Sequence, residues 1–167
     1  MPLPSTMTPI GTVTSASDFS SAVFVAIPQG YTDLYLVMFA RGTDANTGTN
    51  NAILRYNSDS GTNYSYVQLT GNGTTASSTR SSANTKLDVF MPRGNETSNA
   101  INIIHIMNYS NSTVYKSTLW RANMVLSSYG TEANAGLWRS TSAITRIDVT
   151  GNFKANSMFT LYGIKAA

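Results

Sequence analysis

The amino-acid sequence predicts an all-β protein, an antiparallel β-sandwich of jelly-roll-like type with about nine strands. Three observations carry that reading. Ser, Thr, Asn and Gly fill the polar positions, while Glu and Lys, the usual residues of helix surfaces, are scarce. Apolar residues come in short runs bounded by Gly, Pro and Asn, the punctuation of strands joined by turns. The final run, Ser157 to Lys165, places Phe159 and Leu161 on one face and Met158, Tyr162 and Ile164 on the other. A strand that is apolar on both faces belongs inside a sheet, so the end of the chain is expected to insert between earlier strands and close the fold.

With 167 residues the chain suits one domain with a core of its own. Residues 1–19 read as an extended arm, with three prolines and little periodicity, and residues 20–167 as the sandwich. The chain has no cysteine, which removes disulfides, thiolate metal sites and cysteine nucleophiles together. Its net charge of +3 comes from 11 basic and 8 acidic residues scattered without runs, so no nucleic-acid partner is expected. The N-terminus lacks the charged and apolar regions of a secretion signal, and no stretch is long and apolar enough for a helical membrane span.

Taken in order, Ser21 to Ile27 forms a short, doubly buried strand ending at Pro28-Gln29-Gly30, and Asp33 to Arg41, rich in β-formers, a central one. Gly42 to Asn51 is a polar loop and Ala52 to Asn57 a strand. The following Asn57-Ser58-Asp59-Ser60-Gly61-Thr62-Asn63 is a turn made by Asx side chains and glycine. Asn57, Asp59 and Gly61 faintly resemble a calcium loop, but Gln68 stands where a bidentate Glu is needed, and the carboxylate count is too low for a cation. Tyr64 to Leu69 resumes as a strand, with Tyr64 and Tyr66 forming a cross-strand packing row. Gly71 to Thr85 and Ser127 to Ala135 read as surface loops. Leu87 to Pro92, Asn99 to Asn108, Thr113 to Val125 and Ala143 to Thr150 are further strands. In the second of these, Ile101, Ile103, His105 and Met107 share one face and Ile104 and Ile106 the other. His105, the only histidine, reads as a hydrogen-bonded core or interface residue.

No catalytic constellation is nominated, and no cofactor is expected. The serines share one histidine in an apolar strand, so no triad assembles, and the carboxylates lie mostly at turns and strand ends without defining a pair across a cleft. A glycine-rich phosphate loop has no helix to open. The expectation is a protein that is not an enzyme.

Ala26 to Val37 and Tyr56 to Ser65, followed by Asn108-Tyr109-Ser110-Asn111, Gly136 to Thr145 and Phe159 to Ile164, together resemble a β-domain recurrent in virion proteins of tailed bacteriophages. These stretches occur in order over nearly the whole chain. The resemblance implies a jelly-roll-like sandwich, usually trimeric, that serves as a capsid decoration (cement) protein or a tail-fibre domain, without catalysis. The short arm ahead of the sandwich favours decoration: a homotrimer on the capsid exterior, partnered by the major capsid protein. In this reading Met1, Pro2, Leu3, Pro4, Met7, Pro9 and Ile10 form a capsid-contact arm. Tyr35, Trp120 and Trp138 are the aromatic candidates for the oligomer interface, weighed against core packing for each. The alternative is a tail-fibre or spike head whose loops at 42–51, 71–85 and 127–135 bind host surface glycans.

Overall fold

The computed structural model describes residues 6–46, 49–126 and 129–165, and every extended regular element among them is a β-strand. In chain order they are β1 (Met7–Thr14), β2 (Phe19–Phe24), β3 (Asp33–Ala40), β4 (Thr49–Tyr56), β5 (Tyr64–Gly71) and β6 (Ala76–Asn84). The second half adds β7 (Leu87–Pro92), β8 (Ala100–Ile106), β9 (Lys116–Leu126), β10 (Tyr129–Trp138), β11 (Ile147–Phe153) and β12 (Met158–Ile164). They form two sheets, an eight-stranded one in the order β1-β12-β3-β8-β9-β10-β5-β6 and a four-stranded one in the order β2-β11-β4-β7. All pairings are antiparallel.

The order is that of a jelly roll. If β5, β6, β9 and β10 are set aside, the remaining eight strands make two four-stranded sheets, β1-β12-β3-β8 and β2-β11-β4-β7. The first strand pairs with the last, the second with the next to last, and so inward to β4 and β7, as when one long antiparallel hairpin is wrapped into a sandwich. The pairs β5–β6 and β9–β10 are additions that continue the larger sheet beyond β8. The sheet edge at β7 packs against β8, β9 and β5. β6 lies beyond it, with nearly all its side chains exposed.

Alternation fills the space between the sheets. Leu34, Leu36 and Met38 from β3, Ile104 and Ile106 from β8, and Phe159 and Leu161 from β12 meet Phe24, Leu54, Tyr56, Val89, Ile147 and Val149 of the smaller sheet. Phe153 and Phe159 pack edge to face with ring centroids 4.8 Å apart, and Phe19 closes on both. β12 lies between β1 and β3, as its two apolar faces require. Gly163 in this strand lies under the Tyr31 ring, which occupies the space a Cβ would take.

Several expectations are corrected. There are twelve strands instead of about nine. Of the expected arm, Met1, Pro2, Leu3 and Pro4 lie outside the described residues, while Met7, Pro9 and Ile10 belong to β1, an edge strand hydrogen-bonded to β12. Pro9 fits there because an edge strand tolerates a missing N–H. The 71–85 segment is a tight turn followed by β6. Asn72 Oδ1 accepts from the Thr74 and Thr75 backbone N–H at 3.0 and 2.8 Å, and Gly73 takes the left-handed conformation. Of the loop expected at 127–135, residues 127 and 128 lie outside the described residues and Tyr129 onward is β10. β2 buries one face only: Ala22 and Phe24 are buried, Ser21 is exposed and Val23 half-buried, and Val25 just beyond the strand is 60% exposed. The strand expected from Ala143 begins at Ile147. Asn57 holds the preceding segment off the sheet: its Nδ2 donates to Ala143 O at 2.8 Å, and its Oδ1 accepts from the N–H groups of Thr145 and Arg146.

Candidate interaction surface

Directly paired residues in an antiparallel sheet project to the same side, so the register of the larger sheet gives its outer face row by row. One row runs Met158, Phe39, Ile101, Asn123, Thr131. The next runs Thr160, Val37, Ile103, Arg121, Ala133, Leu69, and the third Tyr162, Tyr35, His105, Leu119, Ala135, Val67, Arg80. This face is largely apolar, and among the described residues no other element covers it. Met158, Phe39, Ile101, Leu119, Val67 and Leu69 are 38–56% exposed. Large apolar side chains placed side by side on a sheet face mark an interaction surface far more than scattered ones do.

The face has two halves of different character. Over β12, β3 and β8 it is apolar apart from the hydrogen-bonded His105–Asp33 pair at one end. His105 Nε2 lies 2.8 Å from Asp33 Oδ2, and the Tyr35 ring stacks on the imidazole at 4.6 Å. Asp33 Oδ1 also accepts from the Asn108 backbone N–H, so the carboxylate is engaged at both oxygens. Over β9, β10 and β5 the sheet forms a groove that reaches Ile103 and His105 of β8 at one end. Ala133 and Ala135 on β10 make a low floor between Leu119 on β9 and Val67 and Leu69 on β5. Two adjoining hollows of about 330 and 570 Å³ meet at Leu119.

In this second half the usual alternation is reversed. β10 sends Glu132 and Asn134 inward, where they are 4% and 6% exposed, and alanines outward. β5 likewise turns Val67 and Leu69 to solvent while Gln68 and Thr70 are half-buried. The inward polar rows leave Asn102 Oδ1, Trp120 Nε1 and Glu132 Oε2 buried without a hydrogen-bond partner among the described residues. Burial pushes the Glu132 carboxyl above the usual carboxylate range, with the Gln68 and Asn134 amides pulling the other way.

Of the aromatic interface candidates, only Tyr35 lies on this face. Trp120 and Trp138 are 1% and 2% exposed and belong to the core. Trp138 Nε1 donates to Asp59 Oδ2 at 2.6 Å, and Asn63 Nδ2 and the Gly61 N–H donate to the same carboxylate. Burial raises the Asp59 pKa, but these donors outweigh it and hold the carboxyl below its usual range. Those bonds account for the shape of the 57–63 turn. Among the described residues no group of three or more His, Asp or Glu is placed to hold a metal ion. Leu119, Val67, Leu69 and Arg121 were not singled out from sequence. The signal was there in part: Val67 and Leu69 alternate with Gln68 and Thr70, but alternation alone does not say which face turns inward.

In comparisons with known proteins, no family model matches the chain, and no curated protein or solved structure is significantly similar to it.

Proposed function

We propose that this chain is a non-catalytic assembly protein of a tailed-phage virion, a decoration subunit that braces the head as a homotrimer bound to the major capsid protein. The observation that carries the assembly reading is the uncovered apolar outer face of the larger sheet, because a surface of this kind is stable in water when another molecule covers it. The virion reading rests on the ordered stretches that resemble phage virion β-domains, and the jelly-roll strand order accords with what that resemblance implies. Within this proposal the half of the face over β12, β3 and β8, with Tyr35, Phe39, Ile101 and Met158, is the self-association surface. Many weak contacts, repeated over a symmetric shell, add up by multivalency. The loop-borne glycan reading has less support, since most of 71–85 and of the described part of 127–135 is strand.

The test is quantitative mass spectrometry of purified virions together with electron microscopy of particles labelled against this chain. Hundreds of copies spread over the head are expected. A handful of copies at the tail, or none, would overturn the decoration reading.

A further inference from the structure

We infer that the groove over β10 docks a polypeptide segment that is both apolar and acidic, supplied by a partner other than a second copy of this chain. The groove runs from Ile103 past Leu119, Ala133 and Ala135 to Val67, an apolar floor and side joined at the far end by serines of β5, β6 and β9. Arg80 on β6 and Arg121 on β9 project to the same outer face, both exposed and without an ion-pair partner among the described residues. From strand spacing and rise, their Cα atoms stand about 16 Å apart, roughly the reach of five residues of extended chain. No carboxylate lines the groove, and its one histidine is held by Asp33.

Charge decides the occupant. Of the 8 acidic residues, Asp18, Asp33, Asp44, Asp88 and Asp148 pair with Lys154, His105, Arg93, Lys86 and Arg146 respectively. Asp59 is engaged by three donors, Glu132 is buried, and Glu96, on the turn between β7 and β8, is also engaged. A second copy therefore has no free carboxylate of that kind to set against Arg80 and Arg121, and two such faces brought together would oppose like charges. A free nucleic-acid or polysaccharide chain would satisfy the arginines but leave the apolar walls uncovered. An acidic segment with leucine-like side chains satisfies both.

This inference deepens the assembly reading, yet its test uses the isolated chain, so it stands or falls separately from the copy number on virions. Amide NMR of the full chain is titrated with an end-capped eight-residue peptide that alternates leucine and glutamate. A leucine–lysine peptide, a serine–glutamate peptide and a short single-stranded oligonucleotide serve as comparisons. Saturable shifts confined to residues around Val67, Leu119 and Arg121 are expected with the leucine–glutamate peptide. At least a tenfold weakening is expected in the Arg80→Glu, Arg121→Glu double variant, whose two sites are exposed and whose fold is checked by its spectrum. No shift on this face would overturn the inference, as would equal binding of the lysine peptide, the serine peptide or the oligonucleotide. Concentration-dependent broadening of the same residues without peptide would overturn it in favour of a second copy.

Discussion

Glu132 departs from the apolar lining usual between the sheets of a sandwich. It is buried on the inward face of β10, with one carboxylate oxygen unpartnered among the described residues, beside Trp120 Nε1 and Asn102 Oδ1 in the same condition. Burial raises its pKa in the folded state, so the protonated form is the one the fold favours. The stabilisation this gives is present below the ordinary carboxylate pKa of the unfolded chain, about 4.3, and is lost as pH rises through the higher folded value. Within that window the stability contributed by this group falls by at most about 1.4 kcal/mol per pH unit. Replacing Glu132→Gln removes the ionisation while keeping shape and polarity. The variant should unfold at a higher urea concentration than the parent at pH 7, with the difference vanishing near pH 4. An advantage that stays the same at both pH values would place its origin elsewhere.

At the scale of elements, β1 turns an expected arm into a structural strand. It covers the free edge of β12, and its Ile10 and Val13 side chains pack against the core. Deleting the chain through Thr14 should lower stability by roughly 2–4 kcal/mol, the loss expected from two partly buried aliphatic side chains together with an edge ladder. Urea unfolding measures this, and an unchanged midpoint would show that β1 is dispensable. The same element shows what the sequence makes legible. β3, β7, β8 and β12 were readable because their apolar residues alternate towards a core on at least one face. β1 was obscured by its prolines and threonines. β6 has almost no buried side chain, so its only signal is backbone pairing with β5, which leaves no trace in side-chain type. β10 was obscured because its polar residues face inward and its alanines outward, the reverse of the pattern that identifies a strand. The interaction surface was hidden for the same reason. Tyr35 was found by its aromatic character, whereas Leu119, Val67 and Leu69 look like core until the register shows which way they point.

At the scale of the whole molecule, the jelly roll supplies a rigid two-sheet body, and the added β5–β6 and β9–β10 pairs extend one sheet to eight strands. The consequence is a broad outer face with an apolar half and a cationic, grooved half, on a chain whose carboxylates are mostly spoken for within the fold. In the proposed virion role, this chain acts through that face once assembled. Because the sequence contains no cysteine, single cysteines can be placed without background. The most direct measurement compares maleimide labelling of Leu119→Cys, on the outer face, with Ser20→Cys, exposed on β2 of the other sheet, in the free chain and on intact virions. Labelling at position 119 should slow at least tenfold on the particle while position 20 stays close to its free rate. Equal rates at 119 in both states, with protection at 20 instead, would contradict the claim and assign assembly to the smaller sheet.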